Sequence, residues 1–110
     1  IITTDHGSVQ VNTPVKIIGD RQTNSNLRFK VGKNLSYKER EVVELRSPQK
    51  VQLPSPNLSS AYVLAFGDRF FAYPNNYNYY ASFYKGTFQH GGISMEEMII
   101  PLIKLTSKEK

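Results

Sequence analysis

A chain of 110 residues that is 39% hydrophobic, 12% aromatic and 21% charged has room for one domain with one modest core. It holds no cysteine, which excludes disulfides, thiolate metal sites and cysteine nucleophiles, and no apolar run approaches the roughly 20 residues that span a bilayer. Fourteen Lys and Arg against nine Asp and Glu leave a net charge of +5, which suits anionic partners such as phosphates or nucleic acid and equally serves solubility alone.

In chain order, Ile1 to Thr4 reads as a short buried strand that delivers Asp5 and His6 and is broken by Gly7-Ser8. A chain that opens on such a strand is expected to be part of something larger. Val9, Val11, Val15, Ile17 and Ile18 alternate roughly, with an interruption at Pro14, as a short strand pair or an irregular edge. Residues 19–26, Arg21 among them, are polar and turn-rich, so a loop is expected. Leu27, Phe29 and Val31 then alternate with Arg28, Lys30 and Gly32, the pattern of a half-buried strand.

Ser36-Tyr-Lys-Glu39 has capping-box spacing and predicts a short helix from about Tyr37 to Arg46, with Val42, Val43 and Leu45 inward and Pro48 as its stop. Pro54 and Pro56 belong to a rigid polar connection. Tyr62 to Phe66 and Arg69 to Tyr73, separated by Gly67-Asp68, predict a hairpin with a positive φ at the glycine. Tyr77 to Phe88, rich in tyrosine and phenylalanine, reads as a further strand. Ser94-Met-Glu-Glu97 repeats the capping-box spacing and predicts a helix of one or two turns before Pro101, burying Met95, Met98 and Ile99. Leu102, Ile103 and Leu105 close the pattern as a last strand, ahead of a solvated basic tail. The expected fold is mixed α/β with more strand than helix.

Both histidines of the chain lie in glycine-flanked motifs, Asp5-His6-Gly7 and His90-Gly91-Gly92. Neighbouring residues of a strand face opposite sides, so Asp5 and His6 reach one site only where the chain leaves the pleat, which Gly7 permits. If His90 folds back to the same place, the chain carries oxygen and nitrogen ligands for a divalent metal. The alternative is an ordinary Asp–His pair and an unrelated surface histidine. Arg21, Arg28, Lys30 and Lys33 form a basic stretch that either approaches a substrate phosphate or is the solvent face of its strand. Tyr73, Tyr77, Tyr79, Tyr80, Phe83 and Tyr84 offer stacking faces for bases, or pack a hairpin. Glu96 and Glu97 suit a helix N-terminus, with metal ligation the lesser alternative.

The Asp5-His6-Gly7 segment after its threonine-rich strand, with His90-Gly-Gly-Ile-Ser-Met-Glu-Glu-Met-Ile-Ile-Pro101 downstream, resembles the C-terminal part of PglZ domains of the alkaline phosphatase superfamily. The resemblance runs nearly end to end. Residues 27–34 and 73–80 bring it nearest to the effector domains of PorX-like response regulators of Bacteroidota. It implies that residues 1–110 form the C-terminal portion of one alkaline-phosphatase-like α/β domain, with a hairpin and two short helices. The implied activity is that of a cytoplasmic two-zinc phosphodiesterase or phosphatase, with Asp5 and His6 on one zinc and His90 on the other. Two such cations clamp both oxygens of an in-line displacement at phosphorus.

By the same resemblance, the Thr or Ser nucleophile and the further Asp and His ligands are expected upstream of residue 1, so the chain alone should have little or no activity. The implied partners are a phosphoester such as a nucleotide or oligonucleotide, an upstream receiver domain, the other half of the domain and, through open sheet edges, a second copy. Arg28, Lys30 and Lys33 are the candidates for the phosphate. Two readings from other classes compete. One is a non-catalytic module that binds nucleic acid or protein through the basic strand and tyrosine cluster. The other is a degenerate PglZ domain kept for signalling contacts.

Overall fold

The computed structural model describes residues 1–19, 25–54 and 61–108. Arg21 and Pro56 lie outside them. The early valine pattern folds with period two: Val9, Val11, Val15 and Ile17 are all buried, and Ile18 is exposed. Strand β2 (Val9–Gln10) gives way to β3 (Thr13–Lys16) because the chain changes partners between them. The Val11 N–H donates to Thr87 O, whereas those of Asn12 and Thr13 donate to Asp68 O. Accordingly β2 pairs antiparallel with β8 (Phe88–Gln89), and β3 pairs parallel with β7 (Arg69–Ala72), Val15 opposite Phe71. A second sheet has the order β4 (Phe29–Gly32), β6 (Ala61–Leu64), β5 (Val43–Leu45), antiparallel throughout. Strands β1 (Ile2–Thr3) and β9 (Leu102–Ile103) form an antiparallel ribbon of their own. Val15, Ile17, Val42, Val63, Ala65 and Phe71 make the larger core cluster. Val9, Val11 and Phe70 make the smaller one, with Leu27 and Tyr84 packed on it.

The strand-rich α/β expectation holds, but several elements differ from it. Instead of a helix over residues 37–46, Glu39–Glu41 make a single 3-10 turn and Val43–Leu45 become β5 on the edge of β6. Ser36, the expected cap, gives its N–H and carbonyl to Ile18 in an isolated bridge. Pairing with β6 outweighs the local capping signal, and Val42-Val43, stiff at χ1, favour strand over helix.

The expected hairpin is also absent. Gly67 does take a positive φ of 59°, but the strands on either side join different sheets. The backbone before β4 comes between them: Arg28 O accepts from Ala65 N–H, and Leu27 O accepts from Phe71 N–H.

Tyr77 to Phe88 is not one strand. Tyr77–Tyr84 form helix α1, because Tyr77, Tyr80 and Tyr84 fall on one face at helical spacing, and the tyrosine content alone misleads towards β. The first and last strands are exposed on both faces. Helix α2 (Met95–Met98) is a single turn that buries Glu97, leaving Met95, Met98 and Ile99 in solvent. Among the described residues no helix is long and apolar enough to cross a membrane.

Candidate functional site

Asp5 and His6 follow β1 where regular pairing ends, and His90 follows β8. The two histidines, 84 positions apart, meet: their rings stack with centroids 3.7 Å apart and planes 13° from parallel. His6 Nδ1 lies 2.7 Å from Gly7 O. A carbonyl only accepts, so Nδ1 carries the proton and donates it there, and Nε2 turns a lone pair outward. Asp5 Oδ1 stands 3.6 Å from that Nε2. The backbone turn is held by the Thr4 hydroxyl, which donates to His6 O at 3.0 Å. Asp5, His6 and His90 are all exposed, so the cluster is open to a ligand.

One buried carboxylate places both motifs. Glu97 O accepts the Gly7 N–H at 2.9 Å, which fixes the residue next to His6. Its side-chain Oε1 accepts the Gly92 N–H at 2.9 Å, which fixes the loop that follows His90. The same carboxylate takes a two-pronged pair of hydrogen bonds from Arg28, Nε to Oε1 and Nη2 to Oε2, each 2.6 Å. Ser94 N–H and Oγ–H complete the set on Oε2. Burial pushes the Glu97 carboxyl up, but the hydrogen bonds from Arg28, Ser94 and Gly92 outweigh it and hold the pKa at about 2. Arg28 also donates from Nη1 to Arg69 O, which ties the cluster to β7.

The glycines serve close approach. A Cβ on Gly7 would stand 1.9 Å from Glu96 O, and one on Gly92 would meet Ala65 O and the Arg28 guanidinium at 2.7 Å. Gly91, at φ 110°, turns the chain between His90 and that contact.

The basic candidates are placed differently from the histidines. Arg28 and Lys30 are buried at 0% and 2% exposure, so neither is a solvent face. The alternation is inverted, because the pair with Glu97 draws this side of β4 inward and leaves Phe29 and Val31 half-buried. Arg28 is thereby committed to Glu97 rather than turned to a substrate phosphate. Lys30 sits 4.9 Å from the Tyr73 ring centroid, and burial lowers its amine to about 8. Lys33 is exposed beyond β4. The sequence pattern missed the Arg28–Glu97 pair; its one visible signal was the Ser94–Glu97 spacing.

The donor set suits a divalent cation of the zinc type. Imidazole nitrogen and carboxylate oxygen on one tetrahedral zinc stand about 3.4 Å apart by simple geometry, close to the Asp5–His6 separation. Two acceptors that face each other need a proton or a cation between them. Among the described residues no group of three or more His, Asp or Glu converges on one point. The chain therefore offers two ligands on one side of the stacked rings and one on the other.

The family model for the BREX system PglZ alkaline phosphatase-like domain matches residues 1–105. Comparison with curated proteins gives no match.

Proposed function

The chain belongs to the PglZ alkaline phosphatase-like family, and on that premise we propose that it supplies the C-terminal metal ligands of a zinc-dependent phosphoester hydrolase. In this reading Asp5 and His6 hold one zinc and His90 its neighbour. The observation that carries it is the contact between His6 and His90. Their ring separation of 3.7 Å is of the order of the spacing between the ions of two-metal hydrolases, about 3.5–4 Å. When bound, such ions activate a nucleophile and neutralise the oxygens of the displaced group. The chain's own part is to orient the imidazoles: Gly7 O holds the His6 tautomer, and Glu97 holds the backbone beside both rings.

The parent protein is proposed to be a PorX-like response regulator of the cytoplasm, whose receiver domain and remaining half-domain, with the nucleophile, complete the unit. Its substrate would be a phosphodiester such as a nucleotide or oligonucleotide. The competing module that displays a basic strand loses its main element, since Arg28 and Lys30 face inward.

Zinc content and hydrolysis of bis(p-nitrophenyl) phosphate by the full-length protein test the proposal together. Two zinc ions and zinc-dependent turnover are expected in the native protein. His6→Ala and His90→Ala should each lower the zinc content and abolish the turnover. Full zinc content and rate in both variants would sink the ligand assignment.

A further inference from the structure

Away from the histidines, the buried side of β4 opens on a second site. Leu27, Lys30, Phe71, Tyr73, Tyr80 and Tyr84 line a cavity of about 430 Å³. That lies within the range of small-molecule sites, about 300–1,000 Å³. Each wall has a local cause. Lys30 shares its side of β4 with Arg28, two positions before it, and is only 2% exposed. Phe71 belongs to β7, and α1 sets Tyr80 and Tyr84 one turn apart with their rings nearly parallel, 16° between planes. None of Asp5, His6 and His90 lines this space.

The chemistry of the walls narrows the occupant. Three tyrosines, a phenylalanine and a leucine favour a flat ring, because aromatic faces stack on any planar π-system. A lone sugar phosphate would leave those faces without a partner. The only cation lining the space is an ammonium group, which donates through three N–H bonds and accepts none. A flat ring with a carbonyl on its edge satisfies both requirements. Guanine presents O6 and N7 side by side as acceptors, whereas adenine sets an amino donor beside its N7.

We infer that this cavity binds a keto-bearing nucleobase, guanine in preference to adenine, with its ring against the tyrosines and its carbonyl oxygen accepting from Lys30 Nζ. The inference is independent of the zinc reading, because the site shares no residue with the metal ligands. Burial has already lowered the Lys30 amine to about 8, so the amine is poorly solvated in the absence of a ligand.

Calorimetric titration of the full-length protein in excess EDTA tests it, with GMP, AMP and ribose 5-phosphate as probes. GMP should bind, and AMP should bind about tenfold more weakly or worse. Ribose 5-phosphate should give no signal. Lys30→Met should cost GMP about tenfold while AMP changes little. Tyr80→Leu, at a position 40% exposed and outside both core clusters, should weaken both nucleotides with unfolding unchanged.

Absence of GMP binding in EDTA overturns the inference, as does equal affinity for GMP and AMP. So does ribose 5-phosphate binding as well as GMP, or GMP binding that withstands both substitutions. A guanine-containing dinucleotide separates the two sources of the base. If it displaces GMP at lower concentration than GMP itself, the site takes a base of a strand; if it displaces GMP no better, the site takes the free nucleotide. Because EDTA removes bound metal, failure here leaves the zinc proposal standing, and failure of that proposal leaves this one standing.

Discussion

Five hydrogen bonds converge on the Glu97 carboxylate, from Arg28 Nε and Nη2, Gly92 N–H, Ser94 N–H and Ser94 Oγ–H. That density is what a charge at 4% exposure requires, since an unpaired buried ion is far costlier than a paired one. Glu97→Gln keeps the shape but leaves the Arg28 guanidinium buried without its counter-charge. A loss of about 3–5 kcal/mol is expected, read from urea unfolding of the full-length protein. The double variant Arg28→Met with Glu97→Leu should recover only part of it, because Gly92 and Ser94 N–H still lack an acceptor. If the single variant is as stable as the native protein, the pair is not the anchor.

The pH dependence has a definite sign. A carboxyl at about 2 in the fold and 4.5 in the unfolded chain contributes stability above pH 4.5 that is lost as pH falls towards 2. Lys30 works the other way: held at about 8 against 10.5 when unfolded, it raises stability as pH climbs from 8 to 10.5. Thermal unfolding against pH should show both slopes, the acid one absent in Glu97→Gln and the alkaline one absent in Lys30→Met. At this scale the histidine motifs and the capping serine were legible in the sequence. Arg28 was not, because a buried ion pair on a strand has the same alternation as a solvated face.

Between elements, glycines show which local signals survive folding. Gly67 was readable as a positive-φ turn from its place between two apolar runs, and it is one, although those runs never pair. Period and turn chemistry are local properties, whereas strand partners are chosen by segments far away in sequence, here residues 27–28. The same reason hid β5 behind a helix cap. Alanine substitutions separate the two uses of glycine. At Gly67 the nearest atom to a new Cβ is Arg69 Nη1 at 3.6 Å, so only the left-handed backbone is penalised, by about 1–2 kcal/mol. At Gly7 and Gly92 the new Cβ strikes backbone oxygen at 1.9 and 2.7 Å, so the segments beside His6 and His90 must shift. Both should lose more stability than Gly67→Ala in urea titrations, and both should reduce zinc content, which Gly67→Ala should leave unchanged. Equal zinc retention in all three would dissociate the glycine contacts from the histidine cluster.

Taken whole, the chain is more extended than a self-sufficient domain. Its radius of gyration is 16.8 Å, against about 13 Å for a compact chain of this length, and its long axis is 63 Å. The excess belongs with an uncovered end. Ile1 and Ile2 of the β1 segment, Leu102, Ile103 and Leu105 around β9, and Met95, Met98 and Ile99 at α2 are all exposed. Exposed ladder edges and a continuous apolar surface invite pairing with whatever chain is nearest. In the parent protein the proposed remainder of the domain would cover this end. In a solution of the 110-residue chain alone, only another copy can do so. Sedimentation velocity on the purified chain should therefore show self-association that grows with concentration. Leu102→Asp with Leu105→Asp should shift it towards monomer, since two carboxylates oppose burial at the same ribbon. The His6 and His90 rings lie just beyond that ribbon, so a copy docked there would also screen them from solvent. Slower modification of both histidines by diethyl pyrocarbonate in the associated form than in the monomeric variant would place the contact at β1 and β9. Equal rates, or a native chain that stays monomeric at every concentration, would show that the apolar end needs no partner.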